Sequence, residues 1–262
     1  MAIFSHDYTL NAKFYEAVFG MKILPYSRPG SAILLTDGRM GMNQVPLRTG
    51  FGSGLNHFGL EVEDVALAIS RLRSFSSGMD VQDRPPIRDI TAYSAHDPDG
   101  NIFDLAQRDD AHIAFRGEDE HGYESKRRLS HYAITSREPE RLFDFFHTVC
   151  DLEPVNRRPG DANFYLTDGK VTLVFVPWSI RDYGEQDAVR PGPDHMGLTV
   201  ESVAQLKQDV EAATDRNAHL RPWPLGRGKE SRARLDLFKR AAPYAGHWMT
   251  DAEGVHLAIV EG

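Results

Sequence analysis

The stretch from Asp194 to Val203 repeats the one from Asn56 to Val65, and this constrains what the chain can fold into more than any other feature. Six of ten positions are identical: His57 and His195, Gly59 and Gly197, Leu60 and Leu198, Val62 and Val200, Glu63 and Glu201, Val65 and Val203. In both copies a histidine opens a run with alternating apolar residues, and a polar residue then precedes a helical pattern, which reads as strand, turn, helix. A second pair of twins lies upstream. Phe14-Tyr15 is followed by Leu35-Thr36-Asp37-Gly38, and Phe145-Phe146 by Leu166-Thr167-Asp168-Gly169; 145 − 14 and 168 − 37 both give 131. The chain is a tandem duplication.

With 262 residues and 41% apolar content, each half is long enough to be a domain with its own core. A formal net charge of −8 argues against a nucleic-acid partner or a basic patch on anionic lipid. No apolar run is long enough to cross a bilayer and the N-terminus lacks the pattern of a signal peptide, so a soluble, cytoplasmic protein is expected. The single cysteine, Cys150, lies in an apolar helical pattern and reads as packing.

Within the first half, Leu10, Phe14, Ala17 and Val18 mark a helix face that ends at Gly20. Strand-like runs follow at 21–26, 31–35 and 40–45, separated by Arg28-Pro29-Gly30 and by the hairpin signal Asp37-Gly38. The His57 run opens a second unit with a helix carrying Val65, Ile69 and Leu72, then strands at 90–94 and 102–105 around the turn from Asp97 to Gly100. Residues 109–128 are polar and charged and read as a linker between domains 1–108 and 129–262. A third unit opens at His131, with Pro139 at the start of a helix whose buried face is Leu142, Phe145, Phe146 and Val149. The fourth opens at His195, with Ser202 and Gln205 as a capping box and Val203, Leu206 and Val210 on one face. His57 to Asp97 is 40 residues and His195 to Asp251 is 56, so the fourth unit carries an insertion, placed at about 222–245 and largely basic from Arg227 to Arg240. Such insertions serve as lids or as variable surface loops.

Four strand-helix-three-strand units, with Phe14 to Gly20 and Asp97 to Asn101 as motifs, resemble the vicinal oxygen chelate superfamily, which includes glyoxalase I, the bleomycin resistance proteins and the extradiol dioxygenases. The four-unit form looks most like the two-domain extradiol enzymes. The fold this implies is α+β: four βαβββ modules paired into two domains of cupped mixed β-sheet.

The resemblance also implies a metal in a cup, held by two histidines and a carboxylate that leave positions open for an oxygen-chelating substrate and dioxygen. Carried onto this chain, the second domain supplies His131 and His195. Ala258 stands at the carboxylate position, with His256 two residues earlier as a substitute ligand. The first domain keeps His57, Asp104 and Asn43 as a secondary set. The position matching His131 falls one residue ahead of Met1, so that domain is either a metal-free scaffold, as is usual in the extradiol enzymes, or completed by residues ahead of Met1.

Tyr244 and His247 are candidates for proton transfer. Arg227, Phe175 and Trp248 are candidates for holding substrate, Arg227 through the donor fork of its guanidinium, the others as aromatic walls alongside Trp178. The expected activity is metal-dependent, first an extradiol ring cleavage of a catechol-like aromatic with Fe(II) favoured over Mn(II), Zn(II) or Ni(II). Two readings compete: a redox-neutral lyase or isomerase of glyoxalase type, and a metal-free protein that binds a small aromatic molecule. A homo-oligomer is expected by association with such folds.

Overall fold

A computed structural model describes residues 1–25, 32–84, 91–108, 123–180, 190–226 and 228–262. The first half holds β1 (Ala2–Ser5), α1 (Tyr8–Phe19), β2 (Lys22–Ile23), β3 (Ile33–Thr36), β4 (Gly41–Pro46), β5 (Gly54–Val62), α2 (Val65–Phe75), β6 (Val81–Asp83), β7 (Tyr93–His96) and β8 (Ile102–Gln107). The second holds β9 (Arg128–Ser136), α3 (Pro139–Cys150), β10 (Glu153–Pro154), β11 (Phe164–Thr167), β12 (Thr172–Pro177), β13 (Gly192–Val200), α4 (Val203–Arg216), α5 (Gly228–Ala241), β14 (His247–Thr250) and β15 (His256–Glu261). They form an eight-stranded sheet, β2-β3-β4-β1-β5-β8-β7-β6, and a seven-stranded one, β10-β11-β12-β9-β13-β15-β14. Both are mixed: β1 runs parallel to β4 and antiparallel to β5, as β9 does to β12 and β13.

Three of the four modules have the expected order. The fourth departs: after α4, α5 stands where the first of its three later strands was expected, which is why its sheet is one strand shorter. The insertion is thus helical over most of its basic stretch, with Leu235, Phe238 and Ala242 on its packed side. The expected strand at 90–94 begins instead at Tyr93, and Arg28-Pro29-Gly30 lies outside the described residues. Most of the linker does too, but its last part is packed: Ser125 and Arg127 are buried and Arg128 already belongs to β9.

The halves do not keep separate cores. One apolar cluster joins Phe14, Tyr15, Val18 and Phe19 of α1 to Met196, Leu198, Leu206 and Ala213 of β13 and α4. A second joins Phe58, Leu72 and Phe103 to Phe145, Phe146 and Phe175. Phe75 of α2 meets Phe145 of α3 edge to face at 5.2 Å, and Phe58 tilts on Phe146 at 5.6 Å. Each sheet therefore turns its helix-bearing face toward the other half. Strand alternation sends every second residue the other way, onto the face that forms the cup.

Helix ends follow the sequence closely. Gly20 ends α1 at φ 66°, in the left-handed region. Pro139 opens α3, and Ser202 Oγ accepts from Ala204 N and Gln205 N at the start of α4. The face of α1 is rotated from expectation: Ala17 is exposed, while Asn11 and Tyr15 are buried. Their polar atoms meet Asp251 from the other half, so a periodicity count based on apolar residues overlooked them. Cys150 is packed in α3, where burial pushes its thiol up to about 12. Among the described residues no helix is long and apolar enough to cross a membrane.

Candidate functional site

The two sheets place equivalent residues at equivalent points. Ala2 pairs with Asn43 on one side and His57 on the other; Ala133 pairs with Val174 and His195. Gly59 pairs with Asp104, and Gly197 with Ala258. The carboxylate position inferred by counting from the turn is thus Asp104 in the first cup and Ala258 in the second.

In the second cup His131 and His195 come together, with ring centres 5.5 Å apart and almost perpendicular. Gly197 makes this possible, because a Cβ there would overlap the His131 ring. Both histidines are buried, to 5% and 1% exposure. His131 Nδ1 lies 3.0 Å from Ser130 Oγ, and its Nε2 is buried without a hydrogen-bond partner. Burial, with His195 nearby, holds the His131 pKa well below the usual range, so the ring is neutral.

His195 is held at both nitrogens. Nδ1 is 2.7 Å from Asp194 Oδ2 and Nε2 is 2.9 Å from Tyr244 Oη. Burial opposes the charge on Asp194, but the His195 hydrogen bond outweighs it and the carboxyl pKa is lowered. An ionised carboxylate only accepts, so Nδ1 carries a proton and donates to it. Burial, then neighbouring Tyr165 and Asp194, raise the Tyr244 pKa well above normal and keep the hydroxyl protonated. The result is a chain of hydrogen bonds linking Tyr244, His195 and Asp194.

Aromatic rings close the cup. Trp248 meets His195 at 4.9 Å, and Phe238 of α5 stacks on Trp248 at 4.7 Å and tilts against His256 at 4.5 Å. Beneath α5 lies a cavity of about 20 Å³ bordered by Asp194, Thr135, Val176 and Phe238, no more than a water molecule's worth.

Of the residues expected here, His131, His195, Tyr244 and Trp248 are brought together. His256 borders Phe238, but among the described residues no three His, Cys, Asp or Glu side chains are grouped so as to hold a metal ion. Phe175 points into the core, stacked on Phe146 at 5.7 Å. His247 pairs with Ile259 and so lies on the opposite face of β14 from Trp248, which pairs with Ala258; its pKa is lowered by burial and then by Lys207 of α4. Both corrections follow from the two-residue alternation of a strand. Arg227 lies outside the described residues. Asp194 and Phe238 were missed: the first was legible as the residue beside a candidate histidine, the second only once α5 was placed.

The site that the resemblance implies, two histidines and a carboxylate around iron, does not fit this donor set. Ala258 offers no oxygen, Asp194 is committed to Nδ1 of His195, and Nε2 of His195 is taken by Tyr244.

The first cup is different. His57 Nε2 lies 3.4 Å from Asp104 Oδ2, Ser94 Oγ donates to Asp104 Oδ1, and Asn43 Oδ1 is buried without a partner. Burial opposes ionisation of Asp104, but His57, then Ser94 and Arg84, outweigh it and lower the pKa.

A pH dependence follows from the second cup. His256 has its pKa lowered to about 4 by burial and then by Arg234, with Asp194 opposing and His195 adding to the shift. An unfolded histidine titrates near 6.5, so between about 6.5 and 4 the unfolded chain binds more protons. Stability present above that window is lost as the pH falls through it, about 3 kcal/mol for His256, with His131 acting in the same direction. Melting temperatures measured from pH 7.5 to 4.5 should fall steadily, and His256→Asn should flatten part of the slope; an unchanged slope in that variant would refute the assignment.

No family model matches the sequence, and no curated protein matches it. Solved structures do share the fold. A mutant 4-hydroxymandelate synthase from Streptomyces coelicolor superposes with a TM-score of 0.59 at 12% identity, over 99% of this chain and 90% of that one. The 2,3-dioxygenase LapB from Pseudomonas sp. KL28 gives 0.60 at 14%, over 100% and 90%. A Mn(II)-bound glyoxalase from Novosphingobium aromaticivorans gives 0.58 at 13%, over 99% and 80%. The fold is that of the vicinal oxygen chelate proteins, as the repeat implied.

Proposed function

We propose that this protein binds a small aromatic molecule in its second cup, without a resident metal there. The observation that carries this reading is the pairing of Gly197 with Ala258, which puts a methyl group where the first cup has a carboxylate. The walls support it: Trp248, Tyr244 and the edges of two imidazoles are surfaces on which a flat ring packs well. The test uses protein purified without a histidine tag or chelator, incubated anaerobically with Fe(II) or Mn(II), and analysed by mass spectrometry beside His131→Ala and His195→Ala. Metal dependent on those two histidines should be absent, and phenol, catechol or benzoate should raise the melting temperature of the metal-free protein. Near-stoichiometric metal lost in both variants would overturn the reading.

A second reading places metal-assisted chemistry in the first cup, as a ring-cleaving dioxygenase or a redox-neutral glyoxalase-type enzyme. The facing His57 and Asp104, with the unpartnered Asn43 oxygen, favour it: an imidazole, a carboxylate and an amide oxygen together suit iron or manganese. The solved relatives include a dioxygenase and a Mn(II)-bound glyoxalase. The same metal analysis tests it, since the ion would then be lost in His57→Ala and Asp104→Ala but kept in His131→Ala. Fold alone does not choose between these chemistries.

A further inference from the structure

Helix α5 closes the second cup over polar groups that it does not satisfy. Phe238 is 4% exposed and fills the space between Trp248, His195 and His256, in one apolar cluster with Ala258 and Ala242. In and around this cluster, Trp248 Nε1, Arg234 Nε on α5 itself and His131 Nε2 beside Tyr244 are buried without hydrogen-bond partners. Trp248 and His131 are only 7% and 5% exposed. A buried donor left unmet disfavours the state that buries it, so the closed form rests on ring contacts and not on polar ones.

The unmet groups have a chemical bias. Trp248 Nε1 and Arg234 Nε can only donate. The Arg234 guanidinium lies over the Phe238 ring at 5.5 Å, and its charge acts on both Asp194 and His256. Asp194, which borders the cup, already accepts from His195 Nδ1. Donors and a cation around a stacking platform select an acceptor-rich anion carried on a ring.

We propose that the second cup binds a small aromatic carboxylate, its ring taking the place of Phe238 against Trp248 and its carboxylate accepting from the Arg234 guanidinium and the Trp248 indole. The proposal deepens the aromatic-binding reading above and rests on it. Phe238 is then a built-in competitor, and binding requires its side chain to swing out while Arg234, one turn earlier on α5, stays at the cup. Only the fraction of molecules with Phe238 withdrawn is competent, which weakens the apparent affinity by that fraction.

Benzoate and its neutral analogue benzyl alcohol separate the possibilities, with titration calorimetry on the full chain and circular dichroism as a check on folding. Phe238→Ala should tighten benzoate binding about tenfold by removing the competitor. In that variant benzoate should bind about tenfold better than benzyl alcohol, and adding Arg234→Met should erase the difference while leaving benzyl alcohol unchanged. Should Phe238→Ala fail to fold, Phe238→Leu keeps part of the packing, loses the flat ring and serves the same comparison. Equal binding of the two ligands would refute the carboxylate while leaving the aromatic cup intact. No gain for either ligand in a folded Phe238 variant would refute the cup itself.

Discussion

Asp251→Ala should lower the unfolding free energy by about 4 kcal/mol or more, read from chemical denaturation at pH 7. The carboxylate is fully buried in the last turn of the second half. Its Oδ1 accepts from the backbone N–H of Glu253 and Val255, and its Oδ2 from Asn11 Nδ2 and Tyr15 Oη, each at 2.9 Å. Two of those donors belong to α1, so one side chain both shapes the turn and fastens the halves together. Removing it strands three donors at once, among them a tyrosine hydroxyl whose pKa burial and Asp251 already raise well above normal, while Asn11 Nδ2 keeps Ser5 and Gln44 as acceptors. Asp251→Asn keeps one oxygen for the turn and should cost much less, about 1–2 kcal/mol. Equal losses in the two variants would mean that the charge, not the hydrogen bonds, is what the site requires. Burial raises the pKa of Asp251, with Asn11, Val255 and Tyr15 opposing. Its own titration therefore contributes stability that is full below the unfolded carboxyl pKa and declines as pH rises through the folded one.

Arg127 links the halves a second time. Its guanidinium holds Glu201 at 2.6 Å and 3.0 Å, contacts Asp209, and donates to the Val18 carbonyl at the end of α1. Because Arg127 sits in a run of charged residues, the sequence reads as solvated linker, and composition alone favours that. What decides otherwise is the acidic pair on the β13–α4 segment, which lies 74 and 82 residues further along. Contacts at that separation leave no local periodic signal.

The fold was legible because two similar halves test each other: equal spacings in the two halves mark equivalent strands. The register was legible for the same reason, down to Ala258 standing where Asp104 stands. The contents of the second cup were only half legible. His131, His195, Tyr244 and Trp248 could be placed by their distance from known turns, whereas Phe175 and His247 depended on strand parity, which a loop of uncertain length scrambles. Phe238 had no counterpart in the other three modules. A residue that arrives on an insertion is invisible to an argument from repeats, and here that residue fills the cup.

Gly197→Ala should cost at least about 3 kcal/mol, while the same change at Gly59 should cost less than about 1 kcal/mol. The two glycines are equivalent in the repeat, and β-propensity or backbone entropy would treat them alike. Their surroundings differ. A Cβ on Gly59 would stand 3.3 Å from Asp104 Cβ, a contact that a small shift relieves, whereas a Cβ on Gly197 would overlap Cε1 and Nδ1 of the buried His131 ring. That ring has little room to retreat, with the His195 ring 5.5 Å away and the Tyr244 ring 4.8 Å away. The decisive measurement is therefore a double-mutant cycle. If the clash is the cause, His131→Ala combined with Gly197→Ala should be more stable than Gly197→Ala alone, with a coupling energy of about 2 kcal/mol. Strict additivity would locate the cost in the strand and not in the histidine. A strong coupling would make Gly197, which stands opposite His131, the residue that lets two imidazoles share one cup.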